Sequence, residues 1–345
     1  MSESLDQLCI NTIRMLSVDA VEKAKSGHPG APMGLAPTAY VLWMRFLKYN
    51  PRNPLWPDRD RFVLSAGHGS MLLYSMLHLT GYDLPLEEIQ RFRQWESRTP
   101  GHPERGITPG VETTTGPLGQ GFGNGVGLAI AEAYLAARYN RLGFEIVDHF
   151  TYGIVSDGDL MEGVAAEAAS LAGHLKLSNL CWIYDNNHIT IEGNTRITFT
   201  EDVVTRFLAY GWNVLRVGDA NDIERIEQAL DIFRKTKGRP TFIVLDTHIG
   251  YGAPHKQDTA EAHGEPLGDE EVRLVKRFYG WPEDAKFLVP DSAYERFAAG
   301  VGARGARLRR EWTGLFEAYQ AQYPELANEI ELMQRRELPE EWDRN

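Results

Sequence analysis

The sequence predicts an α/β chain built on a doubly wound, mostly parallel sheet flanked by helices. Between residues 150 and 246, short apolar runs alternate with segments of helical length and spacing. Strands separated by helices of this size are parallel and covered on both faces. The polar groups Asp157, Asp185 and Ile249-Gly250 each follow directly after such a run, where open parallel sheets place their ligands.

The elements can be justified in order. Residues 5–25 carry Leu8, Ile10, Ile13, Leu16, Val18 and Val21, mostly at helical spacing. That run stops at Ser26-Gly27-His28-Pro29-Gly30, where Gly and Pro forbid continuation. A second helix, roughly 35–49, is rich in bulky apolar residues and is expected to be buried. Arg61-Phe62-Val63-Leu64 reads as a strand delivering Gly67-His68-Gly69 at its end. Residues 97–118 form a polar, Pro- and Gly-rich loop longer than a passive connection needs. Glycines 119, 121, 123, 125 and 127 then precede a helix ending near Leu142. Strands are expected at 150–155, 179–184, 212–217 and 241–246, with helices at 160–174, 201–210 and 222–236. After 269 come a helix, a break at Trp281-Pro282-Glu283 and a charged helical tail from about 291. One domain is expected over 1–325, including the helical extension from about 270. Residues 326–345 read as a linker, Leu338-Pro339-Glu340-Glu341-Trp342 resembling the entry to one more than a natural end.

The chain has 345 residues, 43% of them hydrophobic and 24% charged, enough to bury a sizeable core. A net charge of −12 argues against a nucleic-acid partner, which needs a basic face. Cys9 and Cys181 both lie in apolar or amphipathic stretches and read as buried, reduced thiols, which fits a reducing compartment. The acidic start Met1-Ser2-Glu3-Ser4-Leu5-Asp6 is unlike a secretion signal, and no uncharged apolar stretch reaches the ~18 residues of a membrane span. A cytoplasmic protein without a membrane partner is expected.

The chemistry begins with a divided cation site. Ser156-Asp157-Gly158 follows one predicted strand and Asp185-Asn186-Asn187 the next, about thirty positions later, the length of one strand–helix–strand unit. Carboxylate and side-chain amide are hard oxygen ligands, and Mg²⁺ completes such a set with phosphate oxygens and water. A helix beginning near Leu160 would point its free N–H groups and positive end at a diphosphate. Asp157 and the side-chain oxygen of Asn187, with the Ile189 carbonyl, are the candidate metal ligands. Ordinary Asp-Gly and Asn-Asn turns are the competing reading.

Four histidines stand beside glycine or proline in predicted loops: His28, His68, His102 and His263. Loop histidines with small neighbours approach ligands closely and titrate near neutrality, which suits proton transfers on an oxygen-rich substrate. Their spacing does not suit zinc. His78, His149 and His174 read instead as core histidines in regular elements. The glycines from Gly116 onward lack dinucleotide-fingerprint spacing and follow a loop, not a strand. They suit close backbone approach to a flat ring, or close helix packing.

At this point the motifs resemble a known family, the transketolases. The resemblance rests on Lys25-Ser26-Gly27-His28-Pro29-Gly30, Ser65-Ala66-Gly67-His68-Gly69, Pro100-Gly101-His102-Pro103 and Thr115-Gly116-Pro117-Leu118-Gly119-Gln120-Gly121. Asp157-Gly158, Met161-Glu162-Gly163, Asp185-Asn186-Asn187-His188-Ile189 and His263-Gly264 complete it, in order along the chain. The resemblance implies the thiamine diphosphate-binding fold (its diphosphate-binding, or PP, domain), with thiamine diphosphate held on Mg²⁺ or Ca²⁺. It implies transfer of a two-carbon ketol unit from a ketose phosphate to an aldose phosphate, as in the pentose phosphate pathway and the Calvin cycle. By the same resemblance, Asp157, Asn187 and Ile189 hold the metal, and Gly158 and His68 face the diphosphate. Gly116, Leu118 and Ile249 contact the cofactor's rings, while His28, His102 and His263 face substrate, His263 also touching cofactor. Glu162 is expected at a dimer interface.

Two departures stand out. Ser156 occupies a position where the family carries Gly, so its hydroxyl could crowd or bind a phosphate. The chain is also expected to lack the family's pyrimidine-binding second half, which would have to come from a partner, giving a homodimer or a heterotetramer. Alone, it is expected to be inactive and to self-associate through uncovered apolar surface. The competing readings are a non-catalytic cofactor-binding or dimerisation module, and another thiamine diphosphate enzyme of the dihydroxyacetone synthase or deoxyxylulose-phosphate synthase type.

Overall fold

The computed structural model describes residues 4–339 and 342–343. The expectations drawn from Met1-Ser2-Glu3 and from residues 340, 341, 344 and 345 lie outside the described residues. Helix α1 (Leu5–Ala24) starts where the Ser4 side chain accepts the Gln7 N–H and ends at Lys25 in the left-handed conformation. It is buried almost throughout from Cys9 to Glu22. Helix α2 (Gly30–Val41) begins earlier than expected and runs into a π-helical turn, Leu42–Phe46. Strand β1 (Arg61–Leu64) leads to α3 (Ser70–Leu79) and α4 (Leu86–Gln90).

The glycine series does not precede the next helix but forms its first turns: α5 spans Gln120–Tyr139. The reason is packing. A Cβ on Gly125 would stand 2.5 Å from the Trp182 ring, so the helix lies directly on the sheet there. Gly127, on the other face, meets nothing within 4 Å.

The alternating part follows as β2 (Thr151–Ser156), α6 (Asp157–Met161), α7 (Gly163–His174), β3 (Leu180–Asn186), and a small hairpin of β4 (Ile189–Thr190) and β5 (Gly193–Asn194). Then come α8 (Val203–Ala209), β6 (Asn213–Val217), α9 (Ile223–Lys235) and β7 (Thr241–Asp246). The five main strands form one parallel sheet in the order β1-β2-β3-β7-β6. Period-2 alternation shares each strand between two cores. Cys181 and Ile183 of β3 face the core built with α1, α2, α3 and α9, whereas Leu180, Trp182 and Tyr184 face α5, α7 and α8. The expected doubly wound sheet is therefore present.

Several boundaries differ from expectation. The expected single helix at 160–174 is two, because Glu162 is extended (φ −79°, ψ 137°), and the first already begins at Asp157. His149 is buried in a loop against Asp58, and His174 is exposed at the end of α7, so neither is a core histidine in a regular element. After α10 (Glu261–Gly264), α11 (Asp269–Phe278), α12 (Asp291–Phe297) and α13 (Ala303–Gln322), a last helix α14 spans Pro324–Arg335. Ala327 and Ile330 pack it into a cluster with Trp312, Phe316 and Tyr319. Ordered structure thus continues past the boundary expected at 326. No helix among the described residues is long and apolar enough to cross a membrane.

Candidate active site

The carboxyl ends of β2, β3 and β7 bring the divided motif together. Asp157 opens α6, directly beyond β2. The turn is fixed by Asp159, a residue that sequence reasoning did not single out. Its Oδ2 accepts from the Ser156 N–H and hydroxyl, both at 2.9 Å, in a capping box. Its Oδ1 accepts from the Ser65 hydroxyl at 2.7 Å and the Gly119 N–H at 2.8 Å. One carboxylate therefore ties the ends of β1, β2 and α5. It also settles the direction of the Ser156 hydroxyl, which is turned into the cap.

Asp157 is buried, and Oδ1 accepts from the Tyr184 hydroxyl. Its Oδ2 is buried with no hydrogen-bond partner. Burial pushes its carboxyl up to about 6, against the Tyr184 bond. Asp185 lies beside it, fully enclosed, accepting from Thr247 Oγ1 and from Asn187 Nδ2 at 2.9 Å. Burial first, and then the neighbouring Asp157, push Asp185 to about 7. The Asn187 side-chain oxygen accepts the Ile189 N–H at 2.9 Å and keeps a second lone pair. His188, at φ +62°, makes the left-handed turn that re-aims the chain toward Ile189. Asn186 turns away, donating to Asp246 at 2.7 Å, so the pair of amides divides into one site residue and one sheet-end residue. Two adjacent buried carboxyls, an orphaned carboxylate oxygen and an amide oxygen are a donor set that fits a hard divalent cation.

His28, His68 and His263 form a triangle with ring centroids 5.0, 5.1 and 5.6 Å apart. Burial lowers the pKa of each: His28 falls to about 4, and His68 well below its ordinary value. His102 is lowered by burial and by Arg93. These imidazoles are neutral at pH 7 and can donate and accept at once. His263 Nδ1 is buried without a partner. Arg93, which no sequence pattern marked, donates to Ser26 Oγ at 2.7 Å and approaches His28 Nδ1 at 3.4 Å. That approach assigns the His28 proton to Nε2. Arg93 itself sits at φ +60°, unusual for a non-glycine residue.

One cavity of about 500 Å³ gathers His28, His68, His102 and His263, along with Gly116, Leu118 and Ile249. Asp157, Gly158, Asn187 and Ile189 line the same cavity. Gly116 is at φ +148°, and a Cβ there would stand 3.2 Å from the His102 ring, so glycine is needed on both counts. Glu162 lies outside this lining, exposed in the turn between α6 and α7. A larger groove of about 700 Å³ beside α1 and α11 is lined by charges already paired with one another, such as Lys276 with Asp19 and Lys25 with Asp269.

Comparison with known proteins agrees with this geometry. Residues 5–339 match the family model described as transketolase, thiamine diphosphate binding domain. The transketolase of Geobacillus stearothermophilus is 55% identical over 343 residues, covering 99% of this chain and 51% of that protein. Transketolase 1 of Escherichia coli is 52% identical over 333 residues, covering 96% of this chain and 50% of that protein. The Pichia stipitis transketolase in complex with sedoheptulose 7-phosphate superimposes with a TM-score of 0.96 at 48% identity, covering 99% of this chain and 50% of that one. The Leishmania mexicana transketolase gives a TM-score of 0.96 at 47% identity, covering 99% of this chain and 51% of that one. This chain spans about half the length of the relatives it matches. It belongs to the transketolase family and corresponds to its N-terminal, thiamine diphosphate-binding half.

Proposed function

We propose that this chain supplies the metal- and diphosphate-holding half of a ketol transferase that acts on ketose and aldose phosphates. The observation that carries this reading is one cavity lined both by a triangle of neutral histidines and by Asp157, whose Oδ2 is buried without a partner. Asp157, the Asn187 side-chain oxygen and the Ile189 carbonyl would hold Mg²⁺ or Ca²⁺. The N-terminal turn of α6 at Gly158, together with His68, would face the diphosphate, and Gly116, Leu118 and Ile249 would line the rings. When bound, thiamine diphosphate supplies the carbon nucleophile that takes up and passes on the two-carbon unit. The chain's own histidines bind and orient substrate hydroxyls. As neutral imidazoles that donate at one nitrogen and accept at the other, His28, His102 and His263 would relay protons to and from the sugar oxygens.

The site requires a pyrimidine-binding half from a partner, in a homodimer or heterotetramer with Glu162 at the contact. The exposed Met161, Leu171, Leu175, Ile191 and Ile197 around the cavity and along α7 support a covering surface of this kind. A cytoplasmic setting accords with the buried thiols of Cys9 and Cys181. Mixing the chain with the pyrimidine-binding half of a relative, thiamine diphosphate and Mg²⁺ tests the reading. Ketol transfer is the expected result. A folded, verified complex that stays inactive would instead favour a non-catalytic cofactor-binding module.

A further inference from the structure

Away from the histidines, α5, the segment entering β2 and the last two helices enclose a second cavity of about 220 Å³. Leu128, Leu135, Ile146, Trp312 and Ile330 make its walls apolar. Five ionisable groups reach it from several elements: Asp58, Arg61, Glu132, Tyr139, whose hydroxyl donates to Glu329, and His149. Asp58 is occupied by Lys48 Nζ at 2.6 Å, the Asp148 N–H at 2.7 Å and His149 Nδ1 at 3.2 Å. Arg61 donates to the carbonyls of Arg59 and Pro57. Both charges are therefore spoken for by protein groups.

Glu132 differs. It is 8% exposed, and the Asn179 amide holds its Oε2. Burial raises its pKa to about 7, the nearby Asp148 and Asp58 add to the rise, and the Asn179 bond and Lys48 oppose it. A carboxyl so placed gains most from an added cation. The walls are too apolar to satisfy a metal ion, which asks for several oxygen ligands. The volume suits a ring or a short alkyl chain, since an apolar cavity of about 150 Å³ already accepts benzene.

We propose that this cavity binds a small organic monocation, an aryl- or alkylammonium ion whose body lies against Trp312 and Ile330 and whose ammonium donates to Glu132. The site shares no lining residue with the histidine cavity, so it stands independently of the ketol-transfer reading. Met333 and Gln334 at its edge belong to the last turns of α14, so an occupant would brace that helix.

The test titrates the 345-residue chain with benzylamine, with benzyl alcohol as the neutral counterpart and benzoate as the anionic one, followed by calorimetry. Saturable benzylamine binding is expected, at least about tenfold weaker for benzyl alcohol and in Glu132→Gln, with none for benzoate. Ala131→Met, which fills the cavity from the same helix and leaves the carboxyl in place, is also expected to remove binding. Absence of saturable benzylamine binding, equal affinity for amine and alcohol, or unchanged affinity in either variant would overturn the proposal.

Discussion

Asp157 combines a hydrogen bond from Tyr184 on one oxygen with a buried, unpartnered oxygen on the other. Leaving such an atom unsatisfied is costly unless a ligand completes it. Asp157→Ala is therefore expected to weaken Mg²⁺-dependent thiamine diphosphate binding by about 100-fold or more, read by calorimetry. Ser156 makes the opposite case. Its hydroxyl is committed to Asp159, so Ser156→Gly should cost only a few tenths of a kcal/mol in urea unfolding and leave cofactor affinity nearly unchanged. Titration adds two effects of opposite sign. His28 and His149 are both lowered from 6.5 to about 4 in the fold, so the unfolded chain takes up their protons first. The stability they contribute is present above about pH 6.5 and lost as pH falls toward 4. Glu132, raised from 4.5 to about 7, favours the folded state at low pH, and its contribution is lost as pH rises through that window. Melting curves should show Glu132→Gln gaining on the parent protein between pH 5 and pH 8. A gain that shrinks over that range would contradict the assignment.

At the scale of elements, α5 separates two kinds of glycine. Gly125→Ala would drive a methyl into the Trp182 ring and is expected to cost about 1–3 kcal/mol. Gly127→Ala meets open space and is expected to stabilise the chain by about 0.5–1 kcal/mol, both read by urea unfolding. That contrast also marks how far the sequence was legible. The run Thr241–Asp246 matched its strand at both ends, because a short apolar run with polar flanks has one plausible reading. The placement of Asp157 and Asn187 at strand ends was legible because they follow such runs. The glycine series misled about the start of α5, since the tolerance for glycine inside that helix comes from a Trp that sits far away in the chain. Tyr184 and Arg93 were not legible for the same reason, since their partners Asp157 and His28 are distant in sequence; Asp159 has a local cap partner in Ser156, but its ties to Ser65 and Gly119 are equally remote. The break at Glu162 is marked only by the adjacent Gly163, and the apolar residues of α14, Leu326, Ile330 and Met333, stand at helical spacing in a stretch that reads otherwise as a charged linker.

At the scale of the whole molecule, the fold gathers the candidate site residues around one cavity at the sheet's end and leaves apolar groups beside it exposed. Ile191 and Ile197 are each 68% exposed, a poor arrangement for a surface facing only water. Concentration-dependent self-association in sedimentation is the expected behaviour of the isolated chain, and a monomer at all concentrations would count against a buried contact there. The four histidines and Asp157 line one cavity at the sheet's carboxyl end, where open parallel sheets place their ligands. The central claim is that Asp157 and Asn187 anchor a metal-bound diphosphate. The direct measurement is titration of thiamine diphosphate into the chain assembled with a pyrimidine-binding half, with Mg²⁺ and then with excess chelator. One cofactor bound per chain, lost on chelation and in Asp157→Ala, is the predicted result. Binding that survives both would contradict it.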